Sequence, residues 1–260
     1  MSRDSDHPEL WNWQPPIGVL QCGPLAGRVD VARPQRGLHQ LQLAGQSLGG
    51  QLLGVTWEGV PDDRPSQVAD AYLRAGDLVA AYQPQADWPY APRIYWRTEP
   101  PRSDDAALAS LVLWVSVETD RLNTHPTARV ESALAADELL GLNLTDDTDV
   151  SVQPLAEREQ CSRVSVDSAC LLWRLPGGRV SCAQFARTGD AQQLRVRPQS
   201  SDGNALSRFV CQWELFADFL EKGVIRRACL QSVLVPREDD VARATACWRA
   251  FQSRPLPLTA

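Results

Sequence analysis

The chain reads as an all-β protein, a large antiparallel β-sandwich with one C-terminal α-helix. Three observations predict this. Many short runs alternate apolar and polar residues with period two. Turns containing Gly, Asp or Pro separate those runs about every ten to fifteen residues, the spacing of a sandwich built from hairpins. A helical apolar stripe is clearest only near the end, at 239–251. With 260 residues the chain is long enough to cover both sides of such a core.

Taken in order, residues 1–17 form a polar arm. Trp11 and Trp13 are expected to pin it to the body, because an unanchored arm rarely carries two tryptophans. Residues 18–260 are then expected to form a single sandwich domain that includes the helix. In "GLHQLQLAG" (37–45), the side chains of His39, Leu41 and Leu43 are expected to face the core. "GQSLGG" (45–50) reads as a turn, and "QLLGVTWEG" (51–59) as the returning strand. "PDDRPS" (61–66) is a loop. "DAYLRAGDLVAAYQP" (70–84) places Ala-Gly-Asp between apolar runs, the chemistry of a tight hairpin.

The aromatic stretch "DWPYAPRIYWR" (87–97) divides into a loop, 87–90, and a strand, 93–97. Ile94 and Trp96 share the core face of that strand, and Arg93, Tyr95 and Arg97 share the other. "AALASLVLWVSVETD" (106–120) is the clearest strand, with Leu111, Leu113, Val115 and Val117 on one face. Residues 126–155 are compatible with either helix or strand, with "NLTDDTDVS" (143–151) as a loop. Three further hairpins follow, turning at Pro-Gly-Gly (176–178), at Ser-Asp-Gly-Asn (201–204) and at Glu-Lys-Gly (221–223). In the helix, Asp239 or Asp240 is the cap, and Val241, Ala244, Cys247 or Trp248 and Phe251 form the stripe. A short echo, "ARPQ" at 32–35 and "VRPQ" at 196–199, hints weakly at two similar halves.

The totals exclude several functions. The formal charge is −6, opposite to the basic surface a nucleic-acid partner needs. Neither a GxGxxG nor a GxxxxGK[ST] loop is present, so nucleotide chemistry of either common kind is not expected. Residues 1–16 carry no secretory pattern, and no apolar run approaches the ~20 residues of a membrane span. Seven cysteines, odd in number and without a CxxC pair, suit a reduced compartment. The expectation is a soluble, cytoplasmic protein with no membrane and no nucleic-acid partner. Lys222 is the one lysine among 26 basic residues, and its turn position suits a solvated cation.

Candidate chemistries are few. Gly45-Gln46-Ser47-Leu48-Gly49 matches the GxSxG of a hydrolase elbow, but such an elbow needs a helix after the serine and a strand-like run follows. The three histidines, at 7, 39 and 125, are scattered, and the cysteines lack zinc spacing. Cys170 and Cys182 flank a turn almost symmetrically and are expected to be cross-strand neighbours, as buried apolar thiols. The acidic run 146–149 lacks the glycine and distal glutamate of a calcium loop. No metal, cofactor or catalytic residue is assigned.

What remains is a binding surface. Trp88, Tyr90, Arg93, Tyr95 and Arg97 could hold a sugar by stacking and hydrogen bonding. Glu214 and Asp218 would share a face if 213–220 were extended, roughly 7 Å apart, as hydroxyl ligands or as an acid–base pair; pairing with arginines of a neighbouring strand is the plainer reading. The leading expectation is a non-enzymatic binding module for a carbohydrate. The alternatives are a structural or protein-interaction domain without a small-molecule site, and a carbohydrate-active enzyme using Glu214 and Asp218. Length and strand number resemble those of galactose mutarotase-type proteins, whose fold is a doubled sandwich, or supersandwich. That resemblance concerns the fold, since no motif here matches the family's catalytic residues and histidine is scarce. A stacking platform requires Trp88, Tyr90 and Tyr95 to line an exposed surface, and burial would rule it out.

Overall fold

The computed structural model describes residues 10–61, 63–74, 76–85, 88–99, 106–144, 150–155, 160–162, 169–199 and 207–255. The chain opens as a meander: β1 (Trp11–Gln14), β2 (Ile17–Cys22), β3 (Leu25–Asp30), β4 (Leu38–Leu43), the short β5 (Gln46–Ser47) and β6 (Gln51–Trp57). It then crosses to a second sheet and lays down β7 (Val68–Arg74), β8 (Asp77–Tyr82), β9 (Ala91–Glu99) and β10 (Ala109–Glu118). After that it alternates between the sheets. The first receives β11 (Ala128–Ala136), β14 (Gln160–Ser162), β17 (Ala191–Gln199) and β18 (Ser207–Leu215). The second receives β12 (Glu138–Leu144), β13 (Val150–Pro154), β15 (Ala169–Arg174), β16 (Val180–Ala186) and β19 (Arg226–Pro236). The helix α1 (Asp240–Ser253) ends the described chain.

The first sheet, A, runs β1-β2-β3-β4-β6-β11-β18-β17-β14, with β5 beside β4, and the second, B, runs β13-β12-β15-β16-β19-β10-β9-β8-β7. The two are packed face to face, the all-β sandwich with one helix that the alternation predicts. Leu111, Leu113, Val115 and Val117 of β10 are fully buried, and each contributes roughly 1.5–3 kcal/mol by leaving water. Trp96, Trp173 and Trp213 fill the same interior.

A polar cluster sits within this core. Gln184 of β16 donates to Ser132 Oγ of β11 and Ser232 Oγ of β19, both at 2.8 Å, and accepts from the Trp213 indole of β18 at 3.0 Å. Four strands from both sheets thus share one amide, which satisfies groups that would otherwise be buried without partners.

The outer face of sheet B carries a second apolar cluster, including Leu140, Leu172, Phe185, Val233 and Val235. Helix α1 covers it with Ala244, Trp248 and Phe251, the predicted stripe. Asp239 holds the N-cap position, but its backbone is left-handed (φ 56°) and its side chain makes no capping bond. The Asp240 carboxylate is instead turned onto the sheet, accepting from Ser181 at 2.7 Å and Arg174 at 3.1 Å. Burial pushes this carboxyl up, but the Arg174 and Ser181 hydrogen bonds and the charges of Arg174 and Arg237 outweigh it and hold it below the usual carboxylate range.

Several expectations need correction. The segment read as an arm contributes edge strand β1, and Trp11 is buried there as expected of a residue that pins it to the body. In β4, Leu38 and Leu41 are the residues buried at the core, because Gln40 adopts a positive φ (51°) and breaks the alternation. Residues 126–144 are two strands, and the chain changes sheets between them at Asp137. The run 213–235 is not a hairpin: β18 belongs to sheet A and β19 to sheet B, so 216–225 is a crossing, in which Gly223 keeps the expected positive φ (78°). Cys170 pairs with Phe185 and Cys182 with Trp173, which sets the two thiols on opposite faces of sheet B. The echoed tetrapeptides are not structural equivalents, since Pro34–Arg36 is a 3-10 turn whereas 196–199 lies in β17.

The turn at 45–50 does form, and β5 rather than a helix follows Gly45, leaving Ser47 exposed on a hairpin. Gly50 (φ 93°) packs where a side chain would meet the Ala133 carbonyl, beside the irregularity at 131–133 of β11. The acidic run 146–149, the turn 201–204 and His7 lie outside the described residues.

Candidate functional site

Helix α1 rests on β15, β16 and β19 and leaves the outer face of β7 to β10 open beside it. Strand β9 is central to this open area. Ile94 and Trp96 point inward and are fully buried, while Arg93 is exposed and Tyr95 and Arg97 are half-buried on the outer face. The two-faced strand read from the sequence is present as such.

Register decides what surrounds these side chains, because directly paired residues share a face. Tyr95 pairs with Val79 of β8 on one side and Trp114 of β10 on the other, and Val79 pairs with Tyr72 of β7. The result is a single row, Tyr72–Val79–Tyr95–Trp114, crossing four strands, in which all three aromatics are half-buried. Trp114 also packs against the helix-covered cluster, so the row ends at the flank of α1. The neighbouring row is Asp70–Ala81–Arg93–Ser116–Arg227, from β7, β8, β9, β10 and β19, with Asp70 exposed at its end.

The arginines differ in their surroundings. Arg97 makes a bidentate pair with Asp77 across β8, at 2.8 and 2.7 Å. Asp77 is buried, so the pair is a fixed, locally neutral ledge. The Tyr95 hydroxyl beside Arg93, opposed by partial burial and aided by Tyr72 and Glu118 nearby, pushes the guanidinium's pKa up.

The rest of the expected site is not assembled here. Trp88 and Tyr90 are 4% and 6% exposed. Trp88 lies with its ring 4.6 Å from Trp57 of β6 and 4.5 Å from Tyr90, plugging one end of the sandwich. The expectation that these two line an exposed platform is therefore corrected, because apolar closure of the sandwich end claims both rings. Asp87 lies outside the described residues.

Glu214 and Asp218 do not share a face either. Strand β18 stops at Leu215, and Phe216 takes a positive φ (70°) and turns the chain out of the sheet. Glu214 stays on the outer face of sheet A near its register partner Arg129, at 3.8 Å, whereas Asp218 is exposed on the crossing and pairs with Arg226 at 3.0 Å. The outer face of sheet A is on the opposite side of the sandwich from Tyr95. The plainer reading, carboxylates facing arginines, describes both groups.

Other sites are weaker. A cavity of about 140 Å³ opens among Leu142, Cys170, Leu171, Leu194 and Val196, well below the roughly 300–1,000 Å³ of small-molecule pockets. Among the described residues, no group of three His, Cys, Asp or Glu is placed to hold a metal ion. No described helix is long and apolar enough to cross a membrane.

Sequence reasoning placed Tyr95 and its arginines but missed Tyr72, Trp114, Ser116 and Arg227. The alternation of β10 already put Trp114 and Ser116 on the non-core face. Nothing in the sequence told which strand lay next to which.

No family model matches the chain, and no curated protein matches it in sequence. Solved structures do match in fold. A candidate aldose 1-epimerase from Klebsiella pneumoniae superposes with a TM-score of 0.55 at 9% identity, covering 94% of this chain and 87% of that one. A candidate mutarotase, YeaD, from Salmonella typhimurium gives 0.50 at 7% identity, covering 85% and 90%. The likeness is one of architecture, a large two-sheet sandwich.

Proposed function

We propose that this chain binds a carbohydrate on the open outer face of sheet B, along the row Tyr72–Val79–Tyr95–Trp114, as a binding module rather than an enzyme. One observation carries the reading: strand register aligns three half-buried aromatics from β7, β9 and β10 in one row beside α1, with Val79 fully buried between Tyr72 and Tyr95. The C–H face of a pyranose is apolar and weakly positive, and it suits the negative faces of Tyr and Trp rings. The Arg93 guanidinium and the tyrosine hydroxyls supply the donors that sugar oxygens need. The fixed Arg97–Asp77 pair holds the edge of the strip in place. The carbohydrate-related names of the structural neighbours support the same class of ligand.

Those neighbours also favour a second reading, a mutarotase-like enzyme acting on an aldose. A glycan array followed by titration of Trp fluorescence tests the first reading. Binding is expected to fall at least about tenfold in Tyr95→Ala and Trp114→Ala, the loss of one stacked ring, while Glu214→Gln binds as the parent does. An array without a single binder rejects it. Acceleration of α/β anomer exchange in an aldose solution, followed by NMR, would instead establish the second.

A further inference from the structure

The row next to the aromatic strip is distinguished by charge. Arg93 of β9 and Arg227 of β19 both pair with Ser116 of β10, from opposite sides. Their backbones are roughly 10 Å apart, twice the spacing of neighbouring strands, a gap that two arginine side chains can close over the small serine between them. Both arginines are exposed. Tyr95 lies beside Arg93 on the same face of β9. The serine leaves room above it and offers a hydroxyl. Arg97, by contrast, is occupied by Asp77.

We propose that the saccharide taken by this face carries an anionic substituent, a carboxylate or a sulfate ester, seated over Ser116 between Arg93 and Arg227 while its ring lies on Tyr95 and Trp114. This rests on the carbohydrate reading above and adds the ligand's charge to it. The arrangement suits an anion because two guanidinium forks approach from opposite sides with a hydroxyl beneath, and planar forks match carboxylate and sulfate oxygens. Glu118, exposed on β10 near Arg93, and Asp70, exposed on β7 across Ala81 from Arg93, oppose such a ligand and set its affinity lower than the arginines alone would. With a chain charge of −6, the attraction is local to this row, and it weakens as salt is added.

The test measures dissociation constants for matched pairs of oligosaccharides: an oligogalacturonide against its methyl ester, and a sulfated oligosaccharide against its desulfated form. The charged member of one pair is expected to bind about tenfold tighter at low ionic strength, the effect of one charge-assisted contact, and the advantage shrinks with salt. The pair that shows it identifies the anion as carboxylate or sulfate. Arg93→Gln and Arg227→Gln should each lower the charged form's affinity several-fold more than the neutral form's, and Glu118→Gln should raise it. Equal binding of charged and neutral forms, or arginine variants that weaken both alike, overturns the anionic ligand and leaves the sugar-binding reading standing. Failure of every saccharide, neutral ones included, removes both.

Discussion

Gln184 shows how one polar side chain is committed inside an apolar interior. Its amide is wholly buried and answers two serine hydroxyls and an indole N–H. Gln184→Leu keeps the volume but takes the partner from Ser232 Oγ and the Trp213 N–H, each costing about 1–3 kcal/mol, and leaves Ser132 Oγ only the Leu53 N–H, so the urea midpoint should fall clearly, with the secondary structure retained in circular dichroism. Asp190 is a residue of the opposite kind. Burial pushes its carboxyl up to about 6, although the Cys229 N–H, at 2.8 Å, and Arg187 pull it down. A carboxyl whose folded pKa is raised binds its proton more tightly in the folded state. Its favourable contribution is present below about pH 4 and is lost as pH rises through about 6. Asp190→Asn removes this titration, so the variant should gain stability relative to the parent between those pH values; urea midpoints across the window check it.

At the scale of elements, the link between helix and sheet is electrostatic at one end and apolar along its length. Asp240 is buried and engages Ser181, Arg174 and, at 3.7 Å, Arg237, while Arg174 also holds Glu138 at 2.8 Å. Removing the central carboxylate leaves two guanidiniums facing each other. Arg174 is partly exposed, so Asp240→Ala should cost about 2 kcal/mol, less than for a fully buried pair. Amide exchange in the first turns of α1 should rise while that of β10 and β19 stays slow, which locates the loss at the helix rather than in the sandwich. The aromatic strip depends on elements differently: it requires β7, β9 and β10 to be in register, so its geometry follows from backbone pairing.

For the whole molecule, the consequence of two sheets and one helix is an asymmetry of outer faces. The outer face of sheet B is apolar under α1 and mixed aromatic and charged beyond it. A chain ending at Glu238 would uncover Leu172, Phe185, Val233 and Val235 together, a contiguous apolar patch of the kind that drives association. It should self-associate, seen as a shift to larger species in size-exclusion chromatography and as dye binding to apolar surface, even if the sandwich persists. The chain also crosses between the sheets repeatedly, so many contacts join residues distant in sequence, such as Leu53 with Ser132.

The sequence by itself determined the residues' local behaviour. Period-two alternation set Leu111–Val117 and Ile94–Trp96 inward and Arg93, Tyr95 and Arg97 outward, because a pleated strand sends successive side chains to opposite faces whatever its neighbours are. The stripe of α1 was legible for the same reason at helical period. Only the tertiary structure decided which strands are neighbours, and with that the site. Whether Trp88 and Tyr90 are exposed depends on Trp57, thirty-one residues from Trp88 in the chain. Whether β18 and β19 make a hairpin depends on the left-handed Phe216 that sends the chain to the other sheet. Tyr72, Tyr95 and Trp114 lie on three strands, and their alignment is fixed by hydrogen-bond register, a property of the assembled sheet that no local pattern encodes.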